Sequence, residues 1–364
     1  MAEIVFREVS KFYGDSEAVK SLNLTCADGE FTCLLGPSGC GKSSSLRMVA
    51  GLEKISKGEI YIGKNLVNDM LPKDRNIAMV FETYALYPHL KVYDNIAFPL
   101  KVRNFSKTQI AVKVKHVSEM LDMKEFLQSR IKGLGDGQKQ RVSIARALVR
   151  EPEVFLMDEP ISHLDAKLRA RMRGELKRIQ RETKTTCIYV THDQIEAMAL
   201  GDKIAIMNFG ILQQVGTPEQ VFDHPASEFV AGFIGEPPMN FFDCEVVREN
   251  GELFFVTRSF KIDISAGLRE VLGQKSIPPR IRLGMRPMDI KVSPQKIEPH
   301  GIAAKVYTIE PQGDSLVLTL KAGEDLLRVE STEKLKISPG DTLWWNPRME
   351  KVYLFDKSTG VNLV

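Results

Sequence analysis

Apolar and polar positions alternate in two different styles along this chain. Up to about residue 235, short unbroken apolar runs take turns with amphipathic stretches. Phe31-Thr-Cys-Leu-Leu35, Ile77-Ala-Met-Val-Phe81, Val154-Phe-Leu-Met157 and Thr186-Cys-Ile-Tyr-Val190 show no period-two alternation, the pattern of strands buried on both faces in a parallel sheet. Lys42 to Leu52 and Lys139 to Val149 read as helices. Ala166 to Lys184 reads as a long, charge-rich helix with one partly exposed face. Strands alternating with helices predict an α/β sandwich around a mostly parallel sheet.

After Gly235-Glu-Pro-Pro238 the style changes. Short apolar segments, among them Leu253 to Val256, Ile281 to Leu283, Leu316 to Leu320 and Val352 to Phe355, are broken by Gly, Pro and Asp. That pattern predicts a small β-barrel or sandwich. The expected boundary therefore lies near residue 236, giving units 1–235 and 236–364.

Bulk composition removes several function classes. Lys plus Arg number 50 against 47 Asp plus Glu, a balance that makes no case for a nucleic-acid-binding surface. No run of 18 apolar residues occurs, so no membrane-spanning segment is expected. The charged N-terminus reads as a first strand rather than a signal peptide. Five scattered cysteines without a CxxC pair argue against a disulfide framework or a zinc site and for a reducing cytosol.

The chemistry begins at Gly36-Pro37-Ser38-Gly39-Cys40-Gly41-Lys42-Ser43, which fits GxxxxGK[ST] between a predicted strand and a predicted helix. Glycines allow backbone N–H groups to curl around phosphates, and the helix N-terminus adds partial positive charge. Lys42 is expected on the β- and γ-phosphates of ATP and the Ser43 hydroxyl on Mg²⁺. A second element, Val154-Phe-Leu-Met-Asp158-Glu159, is an apolar strand ending in two acids. Its end falls at the carboxyl edge of the sheet, where the phosphate loop also emerges. Asp158 is expected to hold Mg²⁺ and Glu159 to act as general base toward water. Alone, such an ending would be a solvated turn; the upstream phosphate loop favours the functional reading.

These ordered motifs resemble the ATP-binding-cassette ATPases, and most closely the ATPase subunit of maltose-type carbohydrate importers, over essentially the whole chain. The resemblance implies a P-loop nucleotide-binding domain followed by a small all-β, OB-like (TOBE-type) regulatory or dimerisation domain. It places Tyr13 on adenine, adds Ser44 to the phosphate loop, and makes His192, in Tyr189-Val-Thr-His-Asp193, the switch histidine at the γ-phosphate. Asp165, in Ser162-His-Leu-Asp165, matches the loop that crosses the dimer interface. Tyr84 to Leu90 matches the segment against the membrane subunit's coupling helix. Leu283-Gly-Met-Arg-Pro287 and Leu354 to Gly360 match the regulatory domain.

Two departures from the family pattern change the expectation. The signature Leu-Ser-Gly-Gly-Gln is here Leu134-Gly135-Asp136-Gly137-Gln138. Gly135 lacks the hydroxyl donor, and Asp136 puts a carboxylate near the nucleotide held by the other subunit. Two like charges 4 Å apart repel by about 4 kcal/mol at an effective ε of 20. Asp136 could equally serve as a helix N-cap filling its own anion hole. At position 82 the family has Gln; Glu82 can still ligate Mg²⁺ but adds charge and loses an amide donor.

The resemblance implies two transmembrane permease subunits, an extracytoplasmic solute-binding protein and a peripheral position on the cytoplasmic face of the cell membrane. The spoiled signature favours pairing with a second, different ATPase subunit; a homodimer with two weakened sites is the alternative. A non-transport cassette protein, or a nucleotide-binding regulator without meaningful turnover, is a further class; the single phosphate loop speaks against the former, and the Tyr84 to Leu90 segment and the OB-like tail favour transport. A sugar, polyol or glycerol phosphate is the implied solute class.

Overall fold

The computed structural model describes residues 2–249, 252–264, 278–298, 300–333 and 335–363. The chain divides into two compact units, Met1–Glu219 and Gln220–Val364. That division precedes the change of style near residue 236. The short helix Glu228–Phe233 explains the offset, because its Ala231 packs with Met239, Tyr353 and Phe355 of the second unit.

In the first unit the strands are β1 (Ile4–Tyr13), β2 (Ser16–Cys26), β3 (Phe31–Leu35), β4 (Lys57–Ile62), β5 (Asn65–Leu66), β6 (Ile77–Val80), β7 (Val154–Asp158), β8 (Thr186–Thr191), β9 (Lys203–Asn208) and β10 (Ile211–Gly216). The helices are α1 (Lys42–Ala50), α2 (Val92–Val102), α3 (Lys107–Met120), α4 (Asp136–Leu148), α5 (Ala166–Thr183) and α6 (Gln194–Leu200), with α7 (Pro218–Asp223) at the division. One sheet has the order β10-β9-β3-β8-β7-β6. It is parallel from β9 to β6, with β10 antiparallel at the edge. Every residue of β3, β7 and β8 is buried, which is why these strands show unbroken apolar runs.

A second, antiparallel sheet has the order β2-β1-β4-β5. One apolar cluster joins it to the first: Ile4 and Phe6 of β1 share a core with Leu46 and Val49 of α1, Leu34 of β3 and Val190 of β8. Helix α1, and with it the loop at its N-terminus, is thereby set by two sheets. The sequence reading anticipated only the first strand of this antiparallel layer.

The second unit holds α8 (Glu228–Phe233) and β11 (Asn240–Glu249), β12 (Glu252–Val256), β13 (Lys261–Asp263), β14 (Arg280–Met285), β15 (Ile290–Ser293), β16 (Ile302–Pro311), β17 (Leu316–Ala322), β18 (Asp325–Ser331), β19 (Thr342–Pro347) and β20 (Val352–Asp356). They form antiparallel sheets of order β13-β12-β11-β14-β20 and β15-β19-β16-β17-β18. Both contribute to one core that includes Phe255, Leu283, Leu318, Trp345 and Leu354, as the OB-like expectation requires. Arg286, just past β14, is buried in this unit. It donates to the carbonyls of Ile234 at 2.7 Å and Phe222 at 2.5 Å, and its guanidinium lies 3.8 Å from the Phe222 ring centroid.

Candidate functional site

The site is assembled at the carboxyl ends of β3, β7 and β8. β3 delivers the chain into the loop Gly36 to Gly41, and α1 starts at Lys42. The loop has no room for side chains at two of its glycines. A Cβ on Gly36 would lie 2.2 Å from the Met207 carbonyl oxygen, and one on Gly41 2.6 Å from that of Ala18. Gly39 and Gly41 have φ of 77° and 105°, values that favour glycine. Gly41 caps α1 without a side-chain bond to its first amides. These amides and the helix dipole together suit an anion.

Lys42 is almost fully buried and runs back along the loop. Its Nζ donates to the carbonyls of Gly36 at 2.8 Å and Pro37 at 2.9 Å, and stands 3.7 Å from Cys40 Sγ. Burial raises the Cys40 thiol above its ordinary value, offset in part by the Lys42 charge. Ser43 Oγ donates to Asp158 Oδ1 at 2.9 Å. Asp158 is 6% exposed, and desolvation raises its carboxyl despite the Ser43 bond and the Arg47 guanidinium 3.7 Å away. Ser44 Oγ accepts from the Tyr13 hydroxyl at 3.4 Å. Tyr13 is 45% exposed, and Lys11 Nζ sits 4.6 Å from its ring centroid. The aromatic expected to stack on adenine is thus tied to the phosphate loop.

Glu159 follows β7 in a left-handed backbone conformation, φ 47°, uncommon for a residue with a side chain. Its N–H donates to the Val190 carbonyl at 3.0 Å, and its own carbonyl accepts from Ser162 Oγ at 3.0 Å. The turn aims the carboxylate at the end of β8, where His192 Nδ1 lies 3.1 Å from Glu159 Oε2. His192 is itself framed. The buried Glu196 accepts from the Thr191 and Tyr189 hydroxyls, both at 2.8 Å, and Thr191 Oγ1 accepts from the Asp193 amide at 3.0 Å. Asp193 caps α6 and pairs with Arg169 of α5 at 3.3 Å.

Other predicted residues stand apart from this cluster. Asp165 caps α5, its Oδ1 accepting from the Leu168 amide at 3.0 Å. Asp136 is not the N-cap, which is Gly135, but it is the first helical residue and the acid in the first turn of α4, at the positive end of the helix as expected. Its Oδ1 pairs with Lys139 at 3.1 Å, and the side chain is 62% exposed. Gln138 Oε1 accepts from the Gly135 amide at 3.0 Å. A Cβ on Gly137 would come within 2.6 Å of Leu168, so α4 meets α5 at a glycine. Glu82, half exposed, lies 3.8 Å from His163.

The sequence reading overlooked Arg47, Arg169, Thr191 and Glu196. Arg47 had a local signal, one helical turn beyond Ser43. Thr191 and Glu196 flank His192 in sequence, but only the fold shows that they bond each other.

A buried lysine on a glycine loop, a serine–aspartate pair and a glutamate–histidine pair on adjacent parallel strands define a P-loop nucleotide-binding protein. The ABC transporter family model matches residues 19–162. The trehalose/maltose import ATP-binding protein MalK of Thermococcus litoralis is 46% identical over 375 residues, covering 99% of each chain. The sn-glycerol-3-phosphate import ATP-binding protein UgpC of Escherichia coli K12 is 44% identical over 361 residues, again covering 99% of each. The dimeric structure of MJ0796, a bacterial ABC transporter cassette, superposes with a TM-score of 0.54 at 32% identity, covering 59% of this chain and 98% of that one. A post-hydrolysis state of that cassette, bound to ADP and Pi, superposes equally well, at 0.54. This chain belongs to the ABC transporter ATP-binding proteins, in the maltose-type importer subfamily. It is an ATPase that binds ATP through the P-loop fold.

Proposed function

We propose that this chain powers solute import by hydrolysing Mg-ATP, with Glu159 as general base and His192 holding the base and the γ-phosphate in register. The observation that carries this reading is the 3.1 Å approach of His192 Nδ1 to Glu159 Oε2 beside the phosphate loop. Backbone amides of residues 36–41, Lys42 and the α1 N-terminus bind the phosphates. Tyr13 receives the adenine on its exposed face. Glu159 orients water for in-line attack and takes up its proton.

The Ser43 hydroxyl and Asp158 carboxylate converge at 2.9 Å, a pair of hard oxygen donors that suits Mg²⁺. Such an ion would neutralise charge on the phosphate oxygens. Glu82 is a further oxygen donor of the same kind.

The names of its relatives, import ATP-binding proteins for trehalose/maltose and for sn-glycerol-3-phosphate, support a carbohydrate or glycerol phosphate as solute. The motif resemblance extends this reading to polyols, to two permease subunits and an extracytoplasmic solute-binding protein as partners, and to a peripheral place on the cytoplasmic membrane face. Among the described residues no helix is long and apolar enough to cross a membrane. Gly135 offers no hydroxyl, and the exposed Asp136 carboxylate would oppose a phosphate bound by a facing subunit. These features favour a dimer with a second, different ATPase subunit that supplies an ordinary signature. A homodimer is the second reading, favoured by the Lys139–Asp136 pair, which offsets a part of that charge.

Steady-state Mg-ATPase activity of the purified chain beside its Glu159→Gln variant tests both points. Glu159-dependent turnover of the chain alone establishes the homodimer. ATP binding with turnover restored only by a second ATPase subunit establishes the mixed dimer. Turnover that survives in the variant removes Glu159 as base.

A further inference from the structure

Two loops meet at a side chain that the phosphate loop and the Glu159–His192 pair do not use. His163 lies in the loop between Glu159 and α5, and Glu82 in the segment after β6. His163 Nε2 is 3.8 Å from Glu82 Oε1, with both side chains about half exposed. The Tyr84 ring meets the same imidazole edge-on, with centroids 6.1 Å apart and planes at 88°.

The segment beyond Glu82 is under backbone strain. Tyr84 and Ala85 have φ of 60° and 47°, two consecutive left-handed residues with side chains. Helix α4 holds them there. Ser143 Oγ and Arg146 donate to the Tyr84 carbonyl at 2.9 and 3.0 Å, and Arg146 also to the Ala85 carbonyl at 2.6 Å. The Tyr84 hydroxyl is buried without a hydrogen-bond partner, so the ring is held by its neighbours and not by its own polar group. Residues 82–85 are therefore strung between α4, which begins at the altered signature, and the loop bearing His163 and Asp165.

We propose that His163 is a positioning residue for ATP hydrolysis, acting through Glu82 and Tyr84 to fix the strained 82–85 segment against the loop between Glu159 and Asp165. The geometry supplies the reason. One imidazole meets the first residue of the segment and packs edge-on against the ring of Tyr84, whose backbone is strained, so it joins the two loops at both places. The inference rests on this chain being an ATPase, but not on Glu159 being its base.

A double-mutant cycle on the transporter purified with its membrane subunits tests it. His163→Ala is expected to lower kcat roughly five- to tenfold while leaving KM for ATP within about twofold. In a Glu82→Gln background the same substitution is expected to cost less than about twofold. His163→Asn, which keeps a donor at that position, is expected to recover most of the rate. Equal loss in both backgrounds, or no loss from His163→Ala alone, overturns the proposal. Thermal melting of each variant separates misfolding from mispositioning, and the Asn variant carries the test if Ala does not fold. Failure of the base assignment reads out separately, as turnover retained in Glu159→Gln.

Discussion

His192 Nδ1 stands 3.1 Å from Glu159 Oε2, across the ends of two neighbouring parallel strands, β8 and β7. A carboxylate can only accept, so the bond requires the proton on Nδ1 and fixes the orientation of the ring. Glu159→Gln is expected to lower kcat by about a hundred- to ten-thousandfold, with ATP affinity within a few-fold of wild type. His192→Ala should cost a similar factor, and the double variant little more than either alone, because the two act as a unit. Turnover assays paired with nucleotide-binding titrations check all three; multiplicative losses would dissociate the pair.

Asp136 sits in the first turn of α4, exposed, and pairs with the partly buried Lys139. A pair whose carboxylate is this exposed offsets little of a repulsion that amounts to about 4 kcal/mol for charges 4 Å apart at an effective ε of 20. Asp136→Ser is therefore expected to raise ATPase turnover of the purified chain by about tenfold, since half of that repulsion already exceeds one decade in rate. Unchanged turnover would mean that Lys139 suffices and would favour the homodimer.

Both tryptophans, Trp344 and Trp345, belong to the C-terminal unit, so intrinsic fluorescence reports its unfolding selectively. Arg286 is buried there with two carbonyl acceptors and an aromatic face. Arg286→Met removes these contacts and leaves the carbonyls unpaired. The expected loss is about 2–4 kcal/mol, read as a lower urea midpoint of the tryptophan signal.

Burial raises the Glu196 carboxyl above its ordinary range, although the Thr191 and Tyr189 bonds pull the other way. The folded state therefore binds this proton more tightly than the unfolded state does. The associated stability is present at low pH and is lost as pH rises from the ordinary glutamate range through the raised value. Glu196→Gln keeps an acceptor and removes the titration. Its stability relative to wild type is expected to increase as pH is raised from 4 to 7, measured by urea unfolding at each pH. A difference that does not vary with pH would contradict this.

The parallel strands were legible because burial on both faces leaves unbroken apolar runs; the expected and observed spans of β3 coincide, and those of β7 and β8 differ by one residue at their ends. Helix α1 stops at Ala50, before the expected Leu52, because Gly51 turns left-handed and its amide caps the helix. Helix α4 begins at Asp136, ahead of Lys139, because Gly135 caps it. The antiparallel layer was mostly illegible: β1 carries buried, intermediate and exposed residues in no strict alternation, and its pairing with β2 shifts register repeatedly. At the site, Gly36 to Ser43, Asp158 and Glu159 announced themselves by spacing. The meeting of Glu82 with His163 did not, because residues 81 apart in sequence come together only through the loops that follow β6 and β7.

Helix α5 is 18 residues long, about 27 Å, and is fastened at points along its length. Asp165 caps its start, Arg169 pairs with Asp193, Lys177 donates to the Leu200 carbonyl at 2.7 Å, and Gln180 donates to the Gly29 carbonyl at 2.7 Å. Tilting it would break bonds to both ends of α6 and to the turn between β2 and β3. In mechanical terms it is a stator. The 82–85 turn, pinned to Ser143 and Arg146 over two strained residues, is the bearing that works against it: load arriving at that turn would pass into α4, while α5 keeps Asp165 in place.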